Sequence, residues 1–109
     1  MDSYNLDKFD IEVLYCLYVN KKRSPLQSFK IADIMDNTEL NSSYHTFRKR
    51  INEKLIENDL INEGYMDGRS KTYYINENGI KYLEDNVISK EEVYEEVLVD
   101  IDDFKGGNY

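Results

Sequence analysis

The feature that most narrows what this chain can fold into is a turn signal. The pair Asp67-Gly68 stands between two short runs, Leu60-Ile61 and Thr72-Tyr73-Tyr74-Ile75, whose side chains are β-branched, aromatic or aliphatic. An Asp-Gly pair flanked in this way favours a tight β-hairpin, because glycine supplies the left-handed backbone that such a turn requires. A lone hairpin is at best marginal in water, so the rest of the chain must cover its apolar face.

The residues before the hairpin carry helical rather than strand periodicity. Asp7 is a capping residue ahead of Phe9, Val13, Leu14, Leu17 and Tyr18, which recur at spacings of three and four. This first helix is expected to end near Asn20, since Lys21, Lys22 and Arg23 suit a helix C-terminus and Pro25 forbids continuation. Residues 24 to 27 leave room only for a short extended piece, because Ser24 precedes proline. Ser28 is the expected N-cap of a second helix, residues 29 to 35, with Phe29, Ile31, Ala32, Ile34 and Met35 as its apolar side chains. Asp36 to Asn41 is polar turn chemistry around Leu40. Ser42 or Ser43 then caps a third helix that places Tyr44, Phe47, Ile51 and Leu55 on one stripe. Its expected stop is Asn58-Asp59, where Asn tolerates the left-handed conformation. After the hairpin, Asn76 or Asn78 begins a further helix through Ile80, Tyr82 and Leu83, with Gly79 as its weak point.

The order helix, short strand, helix, turn, helix, hairpin, helix is that of a winged helix: an α+β, mainly helical class. One domain over residues 1–88 is expected, since 109 residues with 40% apolar content support a single core. Beyond it, Ser89 and Glu92 have capping-box spacing ahead of Val93, Tyr94, Val97, Leu98 and Ile101. Residues 89–104 therefore read as a C-terminal amphipathic helix with an acidic outer face, and 105–109 as a frayed tail.

Composition excludes several function classes. Cys16 is the only cysteine, which leaves no disulfide or cysteine-based metal cluster within one chain, and His45 the only histidine, which argues against a His-ligated metal and a Ser-His or Cys-His catalytic pair. Carboxylates are abundant but scattered over predicted helix surfaces, and no phosphate-cradling glycine loop or nucleophile elbow occurs. No enzyme activity, cofactor or metal is expected. No apolar run approaches the roughly 18 residues of a spanning helix, and the first twenty lack a secretory pattern, so the expected location is the cytoplasm, away from the membrane. The net charge is −8 but is unevenly spread: residues 1 to 83 hold 12 basic and 13 acidic side chains, and residues 84 to 109 hold 2 basic and 9 acidic. The acidity belongs mainly to the C-terminal part.

Three segments resemble the bacterial winged helix-turn-helix proteins, in particular small regulators of the MarR-like and PadR-like kind or accessory DNA binders of plasmids and phages. Leu55-Ile56-Glu57-Asn58-Asp59-Leu60-Ile61 looks like the family's junction between recognition helix and wing, with Asp59 where the family has Gly. Asp67-Gly68-Arg69-Ser70-Lys71-Thr72-Tyr73-Tyr74-Ile75 resembles the wing tip and its return strand, and Asn76 to Leu83 the helix that follows. The resemblance covers about residues 8 to 86 and implies sequence-specific binding of double-stranded DNA.

With Tyr44, Phe47, Ile51 and Leu55 buried, the third helix presents Ser43, His45, Thr46, Lys49 and Arg50, with Arg48 near the boundary. Short polar groups near a helix start and longer donors behind them suit phosphates and purine acceptors in a major groove. Arg69, Ser70 and Lys71 at the wing tip suit a backbone or a narrow minor groove. Lys21, Lys22 and Arg23 either clamp phosphates or merely complement a helix dipole. Val93, Tyr94, Val97, Leu98 and Ile101 are the expected dimerisation stripe of a homodimer, with packing on the same domain as the alternative. The acidic face beside it either repels DNA and so orients binding, recruits a protein partner, or is simply solvated. A winged helix serving as a protein-interaction module is the alternative function.

Overall fold

The computed structural model describes residues 4–88. The expected C-terminal helix 89–104, its dimerisation stripe and the tail 105–109 lie outside the described residues.

Helix α1 runs Lys8–Val19. Asp7 caps it as expected: its carboxylate accepts from the Asp10 amide at 3.1 Å, while the Asp10 carboxylate accepts from the Asp7 amide at 3.2 Å. This reciprocal box satisfies two of the donors that a helix start leaves without partners. At the other end Asn20 closes the helix and Lys21 turns the chain with φ 59°.

The next stretch corrects the sequence reading. Residues 24 to 27 form a tight turn, closed by Gln27 N–H donating to the Ser24 carbonyl at 2.9 Å. The strand lies after that turn: β1 is Phe29–Lys30, and helix α2 starts only at Ile31, running Ile31–Asp36. Ser28 is therefore not its cap. The Ser28 hydroxyl donates instead to the Pro25 carbonyl, and the Asp33 carboxylate accepts from the Lys30 amide at 3.3 Å at the helix start. Phe29 and Lys30 leave helical geometry because they pair with a distant strand, β3, an instance of tertiary pairing overriding local propensity.

Helix α3 spans Tyr44–Arg50 and continues as a wider, π-helical stretch, Ile51–Ile56. Widening shows in Glu57 N–H reaching Asn52 O at 3.2 Å, and the helix then ends on the paired bonds Leu60 N–H to Leu55 O and Asp59 N–H to Ile56 O, both 2.9 Å. Asp59, rather than Asn58, takes the left-handed position with φ 58°. The Asn58 amide donates to Lys54 O, while Asp59 accepts from Asn76 and Asn78. Strands β2 (Ile61–Glu63) and β3 (Thr72–Ile75) form the hairpin, and the antiparallel sheet order is β1-β3-β2. Helix α4, Glu77–Leu83, is capped by Asn76, whose side chain accepts from Gly79 N–H at 3.0 Å, and continues as a second wide stretch, Glu84–Ile88.

These elements enclose one core. Val13, Leu14 and Leu17 of α1, Ile34 of α2, Phe47, Ile51 and Leu55 of the third helix, Leu60, Ile61 and Ile75 of the hairpin and Leu83 of α4 are all fully buried. Each such side chain contributes on the order of 1.5–3 kcal/mol by leaving water. Of the expected third-helix stripe, Phe47, Ile51 and Leu55 are inside, but Tyr44 is 55% exposed. The core engages α3 from Phe47 onward, while Tyr44 and His45 at its start are exposed. Among the described residues no helix is long and apolar enough to cross a membrane.

Candidate nucleic-acid interface

The exposed start of α3 is capped by Ser43. Its hydroxyl oxygen accepts from Thr46 N–H at 3.2 Å and the same hydroxyl lies 3.2 Å from Thr46 Oγ1, so the two short polar side chains of the first turn are organised by each other. His45, Arg48 and Lys49 are exposed on the outer face. With Asn52 and Glu53 they line a shallow depression of about 380 Å³. The Asn52 amide is turned back to the Arg48 carbonyl at 2.8 Å.

Arg50 lies elsewhere. Sequence spacing put it on the outer face, but its guanidinium turns toward α1, where Nε and Nη2 donate to the Asp10 carboxylate at 3.3 and 3.0 Å and Nη2 also donates to Asp7. The Asp10 side chain is fully buried. Burial pushes its carboxyl above the usual range, with Arg50 and the Asp7 amide pulling the other way; in return Asp10 raises Arg50 further. Three hydrogen bonds to two partners, Asp10 of α1 and its cap Asp7, together with the Phe9 ring 5.3 Å beneath the guanidinium, occupy this side chain.

The wing tip is a tight turn. Asp67 and Ser70 exchange backbone hydrogen bonds at 2.9 and 3.0 Å around Gly68, whose φ is 66°. Arg69, Ser70 and Lys71 are all exposed. Their charges differ in availability. Lys71 pairs with Glu63 at 3.5 Å and the neighbouring Asp67 with Lys30 at 3.3 Å, whereas Arg69 has no ion pair among the described residues.

Helix and wing share a surface. Strand alternation puts Lys71 and Tyr73 on the same side of the sheet, and Glu63 is the cross-strand partner of Tyr73. The Tyr73 hydroxyl is pushed up by burial and then by Glu63, and it also feels Tyr44 and Arg48. Tyr44 and Arg48 of α3 thus stand beside the wing root. The sequence reading placed Tyr44 in the core and Arg48 at the boundary; both are surface groups here. Their signal was the shortness of the buried stripe, which needs only Phe47 onward.

The third basic group is differently used. Lys22 Nζ lies 4.8 Å over the Phe29 ring and the Arg23 guanidinium 4.8 Å over Tyr18, so both cations pack on aromatic faces. The Lys22 carbonyl accepts from Ile75 N–H at 2.9 Å, tying this corner to β3.

No protein-family model matches the chain. The DNA-binding protein TubR of Clostridium botulinum C phage is 33% identical over 78 residues, which is 72% of this chain and 93% of that protein. The chain belongs to the TubR family. Two solved TubR structures share its fold. TubR from Bacillus megaterium pBM400 superposes with a TM-score of 0.63 at 28% identity, covering 73% of this chain and 84% of that one. The solution structure of the DNA-binding TubR fragment from Clostridium botulinum gives 0.59 at 32% identity, covering 73% and 95%. The winged-helix class expected from the element order is therefore that of the TubR structures.

Proposed function

We propose that this chain binds double-stranded DNA sequence-specifically, as an accessory DNA binder of a plasmid or phage acting at an origin of transfer, replication or partition. Helix α3 enters the major groove and the wing lies on the minor groove or backbone. The observation that carries the reading is the set of unpaired cations on the shared face: Arg48, Lys49 and Arg69 have no acidic partner among the described residues. Cations left without acids can replace the counterions of phosphates. Family membership supports the same reading, because the phage relative is named a DNA-binding protein. In the contact set His45, Arg48 and Lys49 lead on the helix, with Ser43 and Thr46 at its start, and Arg69 leads on the wing with Ser70 and Lys71. Arg50 is left out, being held by Asp7 and Asp10. The chain acts as a homodimer joined through Val93, Tyr94, Val97, Leu98 and Ile101, and the acidic C-terminal part, repelled by DNA, is free to meet a protein partner.

Selection of bound sequences from a random duplex pool tests this. An enriched two-fold or repeated motif is expected, with affinity falling steeply as salt rises. Replacing Arg48, Lys49 and Arg69 singly by Ala is expected to lower the slope of log K against log salt by about one each. No enrichment, and no duplex binding even at low salt, would sink the reading in favour of a protein-interaction module.

A further inference from the structure

We propose that Arg50 is a positioning residue: held by the carboxylates of Asp7 and Asp10, it fixes how α3 is rotated on α1 and so where His45, Arg48 and Lys49 point. The inference rests on the reading of α3 as the DNA-contacting helix. Its partners are themselves set in place. Asp7 and Asp10 each accept from the other's backbone amide, at 3.1 and 3.2 Å, so the first turn of α1 presents both carboxylates at one spot. Arg50 meets Asp10 through two nitrogens at 3.3 and 3.0 Å and reaches Asp7 through one of them. A planar fork on two fixed carboxylates accepts few orientations, unlike a flexible ammonium. Beneath it, Phe9 receives the guanidinium at 5.3 Å and itself meets the Phe47 ring at 4.9 Å, which joins the polar clamp to the core contact of the same helix turn.

The position in the chain explains why a clamp is useful. Arg50 is the last residue of regular α3, immediately before the wide stretch Ile51–Ile56. A widened turn breaks the regular phase of a helix, and each residue of phase is worth about 100° of rotation. Even a fraction of that rotation would misalign His45, Arg48 and Lys49 with base edges while leaving their charges beside the duplex, a loss that specific binding registers and non-specific binding does not. A second tie follows one turn on, where Lys54 Nζ donates to the Asn5 carbonyl at 3.1 Å. A buried ion pair is weak ground for stability but well suited to fixing a single geometry.

The test compares binding to the selected duplex and to a scrambled one across a salt series, with the folded state checked by circular dichroism. Asp10→Asn removes the buried charge while leaving Arg50 cationic and less tightly held. If Arg50 positions the helix, affinity for the selected site falls on the order of tenfold, comparable to a mismatched base pair, while scrambled-duplex binding and the salt slope stay unchanged. The double variant Arg50→Gln with Asp10→Asn, which leaves no unpaired buried charge, is expected to behave the same way. Unchanged or tighter site binding by Asp10→Asn overturns the inference, as does a salt slope reduced by about one on both duplexes in the double variant, the mark of a lost phosphate contact. Should Asp10→Asn melt below the assay temperature, Asp7→Asn at its exposed position carries the comparison, with a loss of about threefold in site binding expected and equal binding overturning the inference. The reading beneath fails separately: that outcome is Lys49→Ala and Arg69→Ala binding both duplexes as the wild type does.

Discussion

Gly79 lies inside α4, where glycine ordinarily weakens a helix and replacement by alanine gains up to about 1 kcal/mol. Here the sign reverses. A β-carbon at this position would come 2.3 Å from the Leu60 carbonyl oxygen and 2.6 Å from Ile75 Cγ1, atoms of the wing root that cannot withdraw cheaply. Gly79→Ala is expected to lower unfolding free energy by about 2 kcal/mol through overpacking, as read by urea denaturation. Cys16 makes a second residue-scale case. It is 3% exposed, and burial pushes its thiol up to about 11, against the smaller pull of the Asn20 amide. At pH 8 the native thiol is expected to react with a thiol reagent about a hundredfold more slowly than the unfolded chain, since the thiolate is the reactive form. The raised folded value means that its contribution to stability is whole below pH about 9 and is lost as pH climbs toward 11, so the urea midpoint should fall more steeply there than in Cys16→Ala.

At the scale of elements, caps decide boundaries. Asn76 holds three places at once: its side chain accepts from Gly79 N–H, and its amide donates to Asp59 O at 2.9 Å and to Asn62 Oδ1 at 3.0 Å. Asn76→Ala is expected to cost about 2 kcal/mol, the upper end for a helix cap, because it also frees the left-handed turn at Asp59; thermal melting checks it. What was legible in the sequence follows the same division between local and distant causes. The caps made by Asp7, Ser43 and Asn76 and the turn at Asp67-Gly68 close within three residues, so these local bonds could be read from spacing, which left Ser42 and Asn78 open as alternative caps. Strand β1 could not, because Phe29 and Lys30 are a strand only by virtue of Tyr73 and Thr72. Arg50 was misplaced for the same reason, since its partner Asp10 is 40 residues away along the chain. Tyr44 was assigned to the core by periodicity, yet the core engages the helix only from Phe47.

For the molecule as a whole, the relatives are TubR proteins, so of the two kinds of winged-helix protein the sequence suggested, the plasmid or phage accessory binder is the one they resemble. The separation of charge along the chain then acquires a use. Residues 84 to 109 carry 9 acidic and 2 basic side chains; under the proposed reading this end is expected to stay away from phosphate and to meet another copy or protein. Leu98→Asp in the full chain is expected to give a monomer by analytical ultracentrifugation and to weaken binding to a two-fold site far more than to a single half-site, because linked half-sites raise effective concentration. A dimer that survives this substitution would move the interface elsewhere on the molecule.

The sheet has one more consequence. Its outer strands are two and three residues long, and the longer β3 is enclosed between them. A neighbour searching for backbone partners finds almost no template, which blunts edge-to-edge polymerisation. Copies of this chain brought close together are thus expected not to fuse through their sheet edges.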